Sequence, residues 1–259
     1  MRNKFLHIKE KCKVCGGKGY IWDPRRSFLP GDDGKEADPT QCDCLKNMML
    51  YNTLDQANVP SEYYDLTIED FDDSKSVEKK EIKKFVSGII ADPKDFYNRG
   101  GNVFLYGPNG TGKTMLSIEI LKAALHTKHS IHYEFYPIIC ETFSKKGYKA
   151  DEVKEKYDNI FSNVDFLVID EIGKETEYSD QDTSRRLLEI HILKKRGGKP
   201  TIFLANMYNT KVKPPTPYSE DQVRAEIRGR YGPSVASMMG KTWKFYNVWD
   251  VDAREADNV

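Results

Sequence analysis

The 259-residue sequence has no apolar run of about 18 residues, which excludes a membrane-spanning helix. Its first residues, MRNKFLHIKEKCK, lack the apolar stretch of a secretory signal peptide, which indicates a cytoplasmic protein. The chain also lacks net charge, because 40 Lys and Arg residues balance 40 Asp and Glu residues. Any binding of nucleic acid must therefore depend on a local basic patch.

Cysteine is scarce, and five residues are too few for a disulfide scaffold in a chain of this length. Four of them lie in one C-x-x-C and one C-x-C motif: Cys12, Cys15, Cys42 and Cys44. Four thiolates suit a tetrahedral zinc ion. C-x-C is a less usual half-site, so reduced cysteines without metal, or His7 in place of one cysteine, remain alternatives. The isolated Cys140 is expected to be a small buried residue.

The composition changes along the chain and predicts three segments. Residues 1–57 are loop-rich and hold the cysteine cluster, and zinc would supply the stability that so short a module cannot obtain from its core. Residues 58–75 form a polar and aromatic linker. In residues 76–259, strand patterns such as NVFLYG, IHYEFYP, DFLVID and PTIFLAN alternate with helical ones. This alternation predicts an α/β domain with a parallel sheet flanked by helices.

A glycine-rich stretch, LYGPNGTGKTML, follows the first of these strands and matches the P-loop pattern G-x-x-x-x-G-K-[ST]. Glycines allow successive backbone N–H groups to face a phosphate, and the following helix adds its positive N-terminus. Lys113 can reach the β- and γ-phosphates of ATP, and the Thr114 hydroxyl can bind magnesium. The predicted nucleotide-binding residues are Gly107, Pro108, Asn109, Gly110, Thr111, Gly112, Lys113 and Thr114.

A second motif, FLVIDEIGKETE, ends a buried strand with two carboxylates. Ligands of open α/β sheets bind at the carboxyl ends of the strands. We therefore expect Asp170 to hold magnesium and Glu171 to orient or deprotonate the attacking water, a pairing that favours ATP hydrolysis over transfer to a small acceptor. Asn206, at the end of TIFLAN, is expected to contact the γ-phosphate or the water.

With these motifs, the sequence from about residue 58 onward resembles the AAA+ core of DnaC/DnaI-type replicative helicase loaders, which the IstB-type transposition helpers share. The resemblance implies a magnesium-dependent ATPase that loads a hexameric replicative helicase onto single-stranded DNA and self-associates in a ring or spiral. It implies that Asn206 is the residue called sensor 1 and Arg254 the residue called sensor 2. The implied catalytic residues are Lys113, Asp170, Glu171, Asn206 and Arg254.

In loaders, an extra helix between the second and third core strands contacts single-stranded DNA, and here that segment is CETFSKKGYKADEVKEKY. It combines aromatic rings with positive charge, as binding of a single strand requires. The implied DNA contacts are Phe143, Lys145, Lys146 and Tyr148. The alternatives are a solvated charged helix, a core position for Phe143, and a DNA site at Lys194, Lys195 and Arg196.

One position departs from the family pattern. The arginine that reaches the neighbouring subunit's ATP site aligns with Met238, which implies weak hydrolysis unless Arg224, Arg228 or Arg230 replaces it. The position of the cysteine module resembles that of the zinc-containing, helicase-contacting domain of DnaI-type loaders, and it favours a loader over a transposition helper, which binds duplex DNA. A small-molecule P-loop kinase is a remote alternative, because the cysteines precede the P-loop and the strand ends in an Asp-Glu pair.

Overall fold

The computed structural model describes residues 5–21, 40–175, 180–211, 215–240 and 242–250. The chain divides into two compact units, Met1–Tyr64 and Asp65–Val259. Within the described ranges, no helix is both long and apolar enough to cross a membrane.

The first unit is built around the cysteines. Its elements are α1 (Leu6–Glu10), β1 (Tyr20–Ile21), β2 (Thr40–Gln41) and α2 (Asp43–Gln56). The two short strands pair antiparallel, and α1 packs against α2. Three of the four clustered cysteines are buried, and Ile8 packs against them. The cysteine cluster has three buried residues among those that the structure describes, which makes it a small core.

The second unit contains a five-stranded parallel sheet, which confirms the predicted α/β fold. Its strands are β3 (Asn102–Tyr106), β4 (Ile131–Phe135), β5 (Phe166–Ile172), β6 (Thr201–Ala205) and β7 (Trp243–Asn247), in the order β4-β5-β6-β3-β7. The three central strands are buried along almost their whole length. Their sequences are therefore continuous apolar runs and do not alternate between apolar and polar residues.

Helices cover both faces of the sheet. They are α3 (Val77–Ala91), α4 (Pro93–Asn98), α5 (Lys113–His126), α6 (Tyr136–Ser144), α7 (Tyr148–Asn163), α8 (Gln181–Arg186), α9 (Lys194–Arg196) and α10 (Glu220–Met238). Helix α3 begins after Ser76, whose hydroxyl accepts a hydrogen bond from the N–H of Lys79. Asp92 caps α4 in the same way.

Three helical segments depart from a continuous, regular α-helix. The charged stretch from about residue 138 to 160 forms two helices, α6 and α7. Gly147, with φ +108°, has a non-helical backbone and separates them. The helix TSRRLLEIHILKKR includes a π-helical section, Leu187–Leu193, between α8 and α9. In α10, Gly232 and Pro233 produce a kink.

Arg196 was an alternative DNA contact, and the structure corrects this. The residue is 3% exposed, and its guanidinium group lies among backbone carbonyl groups. The acceptors are the carbonyl oxygens of Phe161, Val164, Asp165 and Pro200 and the hydroxyl of Thr201. Burial lowers the pKa of Arg196 to about 10, so the group stays charged at neutral pH. Arg196 therefore joins α9 to the C-terminal end of α7 and to β6, and it is not accessible to DNA.

We expect Arg196→Met to lower the free energy of unfolding by about 2–4 kcal/mol, because several buried carbonyl groups lose their donor. The control is Lys195→Met, which removes a partly exposed ion pair with Asp158 and should cost no more than about 1 kcal/mol. Urea unfolding followed by tryptophan fluorescence measures both variants. Equal stabilities of the two variants would contradict the structural role of Arg196.

Candidate functional site

The loop between β3 and α5 has a backbone that only glycine adopts without strain. Gly107, Gly110 and Gly112 have φ angles of +146°, +74° and +97°. A Cβ atom added to Gly107 would lie 2.4 Å from the carbonyl oxygen of Val248, and one added to Gly112 would lie 2.6 Å from the Phe71 ring. The loop is therefore shaped by packing on both sides.

Lys113 is the first residue of α5, and only 7% of its surface is exposed. Its ammonium group donates hydrogen bonds to the carbonyl oxygens of Gly107, at 3.0 Å, and Pro108. The Thr111 hydroxyl also donates to Pro108. The loop thus places one positive side chain and the positive end of α5 at the same point, while Asn109 and Gly110 lie exposed at its tip.

Asp170 lies on β5 next to this loop and is only 5% exposed. Its Oδ2 atom accepts hydrogen bonds from the Thr114 hydroxyl at 2.9 Å and from the Tyr133 hydroxyl at 2.6 Å. Burial raises the pKa of Asp170, and these two hydrogen bonds partly oppose the rise. A hydroxyl beside a carboxylate is an oxygen ligand pair that fits magnesium.

Glu171 meets Asn206 across neighbouring strands. Oε2 of Glu171 accepts a hydrogen bond from Nδ2 of Asn206 at 2.7 Å. The same oxygen forms an ion pair with Nζ of Lys174, also at 2.7 Å. The backbone of Glu171 has φ +62°, and the pairing of β5 with β6 is irregular between Ile169 and Ile172. This irregularity turns the Glu171 carboxylate toward Asn206 and away from a regular strand position.

The structure adds two polar residues to this site that the sequence patterns do not indicate. Tyr133 reaches Asp170 because β4 pairs with β5 in parallel, and the pairing sets Phe135 opposite Asp170. Lys174 reaches Glu171 because the chain turns sharply at Gly173, with φ +101°. No sequence motif indicates either contact, because each depends on the path of the backbone.

The arginines near Met238 occupy different environments. Arg224 pairs with Glu220, and Arg230 pairs with Glu226 and donates to the carbonyl oxygen of Gly173. Arg228 is exposed, and no partner of its side chain was found within the described ranges. Met238 is half-buried near Asn102 and Thr201, at the N-terminal ends of β3 and β6. The predicted sensor 2 residue, Arg254, lies outside the described residues.

The candidate DNA-contacting residues separate into packed and exposed side chains. The Phe143 ring is partly buried against the core and lies 4.7 Å from the His191 ring. Lys145 and Lys146 are exposed in the turn between α6 and α7, and Tyr148, at the start of α7, is 78% exposed. Of the four candidate residues, the two lysines and Tyr148 are therefore accessible to a ligand.

The four clustered cysteines bring their sulfur atoms together in the first unit. All four Sγ atoms lie within 4.8 Å of one another, with Cys12 to Cys42 at 3.8 Å and Cys15 to Cys44 at 3.5 Å. Zinc–sulfur bonds of about 2.3 Å place the sulfurs of a tetrahedron about 3.8 Å apart. The backbone N–H of Gly19 points at Sγ of Cys15, at 3.1 Å. The donor set and its spacing fit zinc.

The thiols in this cluster do not titrate alike. Burial raises the pKa of Cys44, and hydrogen bonds with the other three thiols raise it further. Burial also acts on Cys15, but hydrogen bonds from the N–H of Gly19 and from the neighbouring thiols outweigh it and lower its pKa to about 6. Four thiolates at these distances repel one another unless a cation neutralises them.

Comparison with known proteins identifies the larger part of the chain. The sequence profile of the family described as IstB-like ATP binding protein matches residues 46–210, which is more than half of the chain. No curated protein sequence matches the chain.

Solved structures share the fold at low sequence identity. The DnaC helicase loader is 18% identical with a TM-score of 0.55, and the match covers 73% of this chain and 100% of that one. DnaI is 17% identical with a TM-score of 0.52, covering 74% and 93%. Domain III of the Thermotoga maritima replication initiation protein DnaA is 16% identical with a TM-score of 0.52, covering 77% and 72%. At these identities the likeness shows the fold alone.

Proposed function

Because the chain belongs to the family of IstB-like ATP-binding proteins, we propose that it is a magnesium-dependent ATPase that loads a hexameric replicative helicase onto single-stranded DNA. The observation that carries the ATPase part is the convergence of three separate segments. The Thr114 hydroxyl lies 2.9 Å from Asp170, and Asn206 lies 2.7 Å from Glu171. The P-loop and the ends of β5 and β6 thus present their polar groups together.

Each residue has a separate task in the proposed hydrolysis. Lys113 exchanges its hydrogen bonds to loop carbonyl groups for bonds to the β- and γ-phosphates. Magnesium, held by Thr114 and Asp170, would neutralise charge on the phosphates. Glu171 orients or deprotonates the attacking water, and Asn206, which donates a hydrogen bond to Glu171, contacts the γ-phosphate or that water. Arg254 is proposed to contact the nucleotide as sensor 2.

Two observations favour a helicase loader over a transposition helper. The fold resembles that of the DnaC helicase loader along the whole of that chain. In addition, residues 1–57 provide a cysteine module that we propose binds zinc and contacts the helicase, followed by a linker at 58–75 and the ATPase domain at 76–259. The ATPase domains are proposed to associate in a ring or spiral, with Arg228 as the exposed arginine available to a neighbouring subunit.

An IstB-type transposition helper is the second candidate, because the matching profile carries the IstB name. The two functions differ in the DNA that is bound and in the partner. A helper binds duplex DNA, whereas a loader binds single-stranded DNA and a helicase. Preference for duplex DNA, without capture of a replicative helicase, would support the helper.

For the ATPase centre, we expect Lys113→Ala to abolish nucleotide binding or turnover. Glu171→Gln should bind magnesium and ATP normally and lower kcat by about a hundredfold or more, because it removes the group that acts on water. Binding of a fluorescent ATP analogue and release of phosphate are the measurements. Glu78→Gln makes the same chemical change at an exposed position of α3 and should behave as wild type. Equal hydrolysis by wild type and Glu171→Gln would refute the assignment.

For the cysteine module, we expect one zinc ion per chain by elemental analysis. Cys12→Ser or Cys42→Ser should lose the metal and unfold the first unit, because metal binding supplies the stability of such small modules. Cys140→Ser removes a thiol that is buried outside the cluster and should retain the zinc. Four freely titratable thiols in a folded, metal-free first unit would show that the cluster is not a zinc site.

The same variants test the partner. The protein, immobilised with ATP, should retain the hexameric replicative helicase of the same host, while Cys42→Ser should lose it and keep ATP binding. Retention of the helicase by Cys42→Ser would place the helicase contact outside the cysteine module. No retention by the wild-type protein would refute the loader.

For DNA, we propose a contact at the turn between α6 and α7, with Lys145 and Lys146 at phosphates. The packing of the Phe143 ring favours Tyr148 as the aromatic residue that stacks on a base. A chain without net charge can offer only a local site, so binding should be weak and sensitive to salt.

We expect Tyr148→Ala to weaken the binding of a labelled DNA single strand by about 1–3 kcal/mol, because one base loses the ring on which it stacks. Lys146→Ala should reduce the salt dependence by about one ion. Phe143→Leu is the contrasting variant, and it should lower Tm without changing DNA affinity. Fluorescence anisotropy and thermal melting measure these effects. Loss of DNA affinity in a stably folded Phe143→Leu, with none in Tyr148→Ala, would restore Phe143 as the contact.

A further inference from the structure

Glu175 is a buried carboxylate to which the proposed hydrolysis assigns no task. It is 1% exposed and lies just after Glu171 and Lys174 in the loop that follows β5. Charged side chains are seldom buried to this extent unless they are paired or hydrogen-bonded. Both oxygens of Glu175 have partners. Oε2 accepts a hydrogen bond from the N–H of Gly173 at 2.8 Å, and Oε1 accepts one from the Tyr231 hydroxyl at 2.5 Å.

The same loop is held a second time by the neighbouring residue of α10. Nη1 of Arg230 donates to the carbonyl oxygen of Gly173 at 2.6 Å, while Nη2 pairs with Glu226 at 3.1 Å. Both backbone groups of Gly173 are therefore engaged, its N–H by Glu175 and its carbonyl by Arg230. Through Tyr231 and Arg230, α10 is tied to the loop at two points. We refer to Glu175, Tyr231 and Arg230 as the loop clamp.

The loop clamp lies next to the strained part of the hydrolysis centre. Glu171 has φ +62°, a conformation that a non-glycine residue adopts only when its surroundings hold it there. Glu171 lies within β5, and Ile172, which pairs with Ala205 of β6, separates it from Gly173. The loop returns to Glu171 at the N–H of Lys174, which donates a hydrogen bond to the Glu171 carbonyl oxygen at 3.2 Å. If the clamp released Gly173, the turn closed by the hydrogen bond from Lys174 to Glu171 would loosen, and the Glu171 carboxylate would be held less firmly beside Asn206.

We propose that the loop clamp positions the Glu171 carboxylate for ATP hydrolysis. Glu175, Tyr231 and Arg230 contact no reacting atom in this role, so they are positioning residues and not catalytic ones. The proposal rests on the ATPase function proposed above. It assigns Arg230 to its own subunit's loop, which removes it from the candidates for the arginine that acts on a neighbouring subunit.

Tyr231→Phe is the most direct test, because it removes a single hydroxyl and keeps the buried ring. The structure provides a closely matched control in Tyr136→Phe. Tyr136 is also fully buried in the same core cluster, and its ring lies 6.3 Å from the Tyr231 ring. Its hydroxyl donates a 2.5 Å hydrogen bond to the carbonyl oxygen of Ser184 on α8, and not to the loop. Both variants therefore lose one buried hydrogen bond, but only Tyr231→Phe removes a hydrogen bond of the clamp.

The first readout is hydrogen–deuterium exchange of the peptide that contains residues 170–175, which needs no ATPase activity. Tyr231→Phe should exchange this segment about tenfold faster than wild type, since a hydrogen bond to a buried carboxylate is lost. Tyr136→Phe should leave exchange in this segment at the wild-type rate. Equal exchange in the two variants would overturn the clamp, whatever the enzyme activity.

The second readout is steady-state ATP hydrolysis. Tyr231→Phe should lower kcat about tenfold with KM for ATP within about twofold, because the change affects Glu171 and not the phosphate-binding loop. Tyr136→Phe should keep the wild-type kcat. Glu175→Gln, which preserves the side-chain shape, is the second variant in case Tyr231→Phe is unstable, and it should show the same pattern in both readouts.

The outcomes separate the two proposals. A wild-type protein that hydrolyses ATP through Glu171, with an unchanged kcat in Tyr231→Phe and Glu175→Gln, would overturn the clamp and leave the ATPase intact. A wild-type protein without ATPase activity would overturn the proposed function, while faster exchange at residues 170–175 in Tyr231→Phe would still support the clamp as the device that holds Glu171.

Discussion

The burial of one carboxylate, that of Asp170, is the constraint on which the second unit depends. A carboxylate that is 5% exposed is costly unless hydrogen bonds replace the lost water. Three separate elements supply them: Thr114 from α5, Tyr133 from β4 and the N–H of Glu171 from β5 itself. The helix after the P-loop and two strands must therefore dock in one arrangement. That arrangement creates an oxygen-rich position beside the positive end of α5.

The two units obtain their stability by different means. The sheet of the second unit has strands that are apolar on both faces, so burial of apolar surface favours its folding directly. The first unit has two-residue strands and a small cluster of buried cysteines, for which a tetrahedral metal is the fitting source of stability.

Several residues of the second unit contradict local preference, and each is held by tertiary contacts. Glu171 takes a left-handed backbone conformation, Glu175 is a buried acid, and Arg196 is a buried cation. Arg196 is satisfied by carbonyl groups at the base of the sheet, so its role is structural. Glu171 and Glu175 lie at the opposite, carboxyl end, where strain and buried charge place a carboxylate beside the P-loop.

The sequence by itself determined the features that depend on neighbouring residues. Apolar runs predicted the strands, glycine spacing predicted the P-loop, and the cysteine motifs predicted the four-sulfur cluster that the structure brings together. Only the tertiary structure decided which side chains meet across elements. Tyr133 and Asp170 meet because two strands pair in parallel, and Tyr231 meets Glu175 because α10 packs beside the loop after β5. The packing of Phe143 and the burial of Arg196 have the same origin. Contacts between distant residues depend on how the elements pack, and local patterns of charge and hydropathy carry no record of that packing.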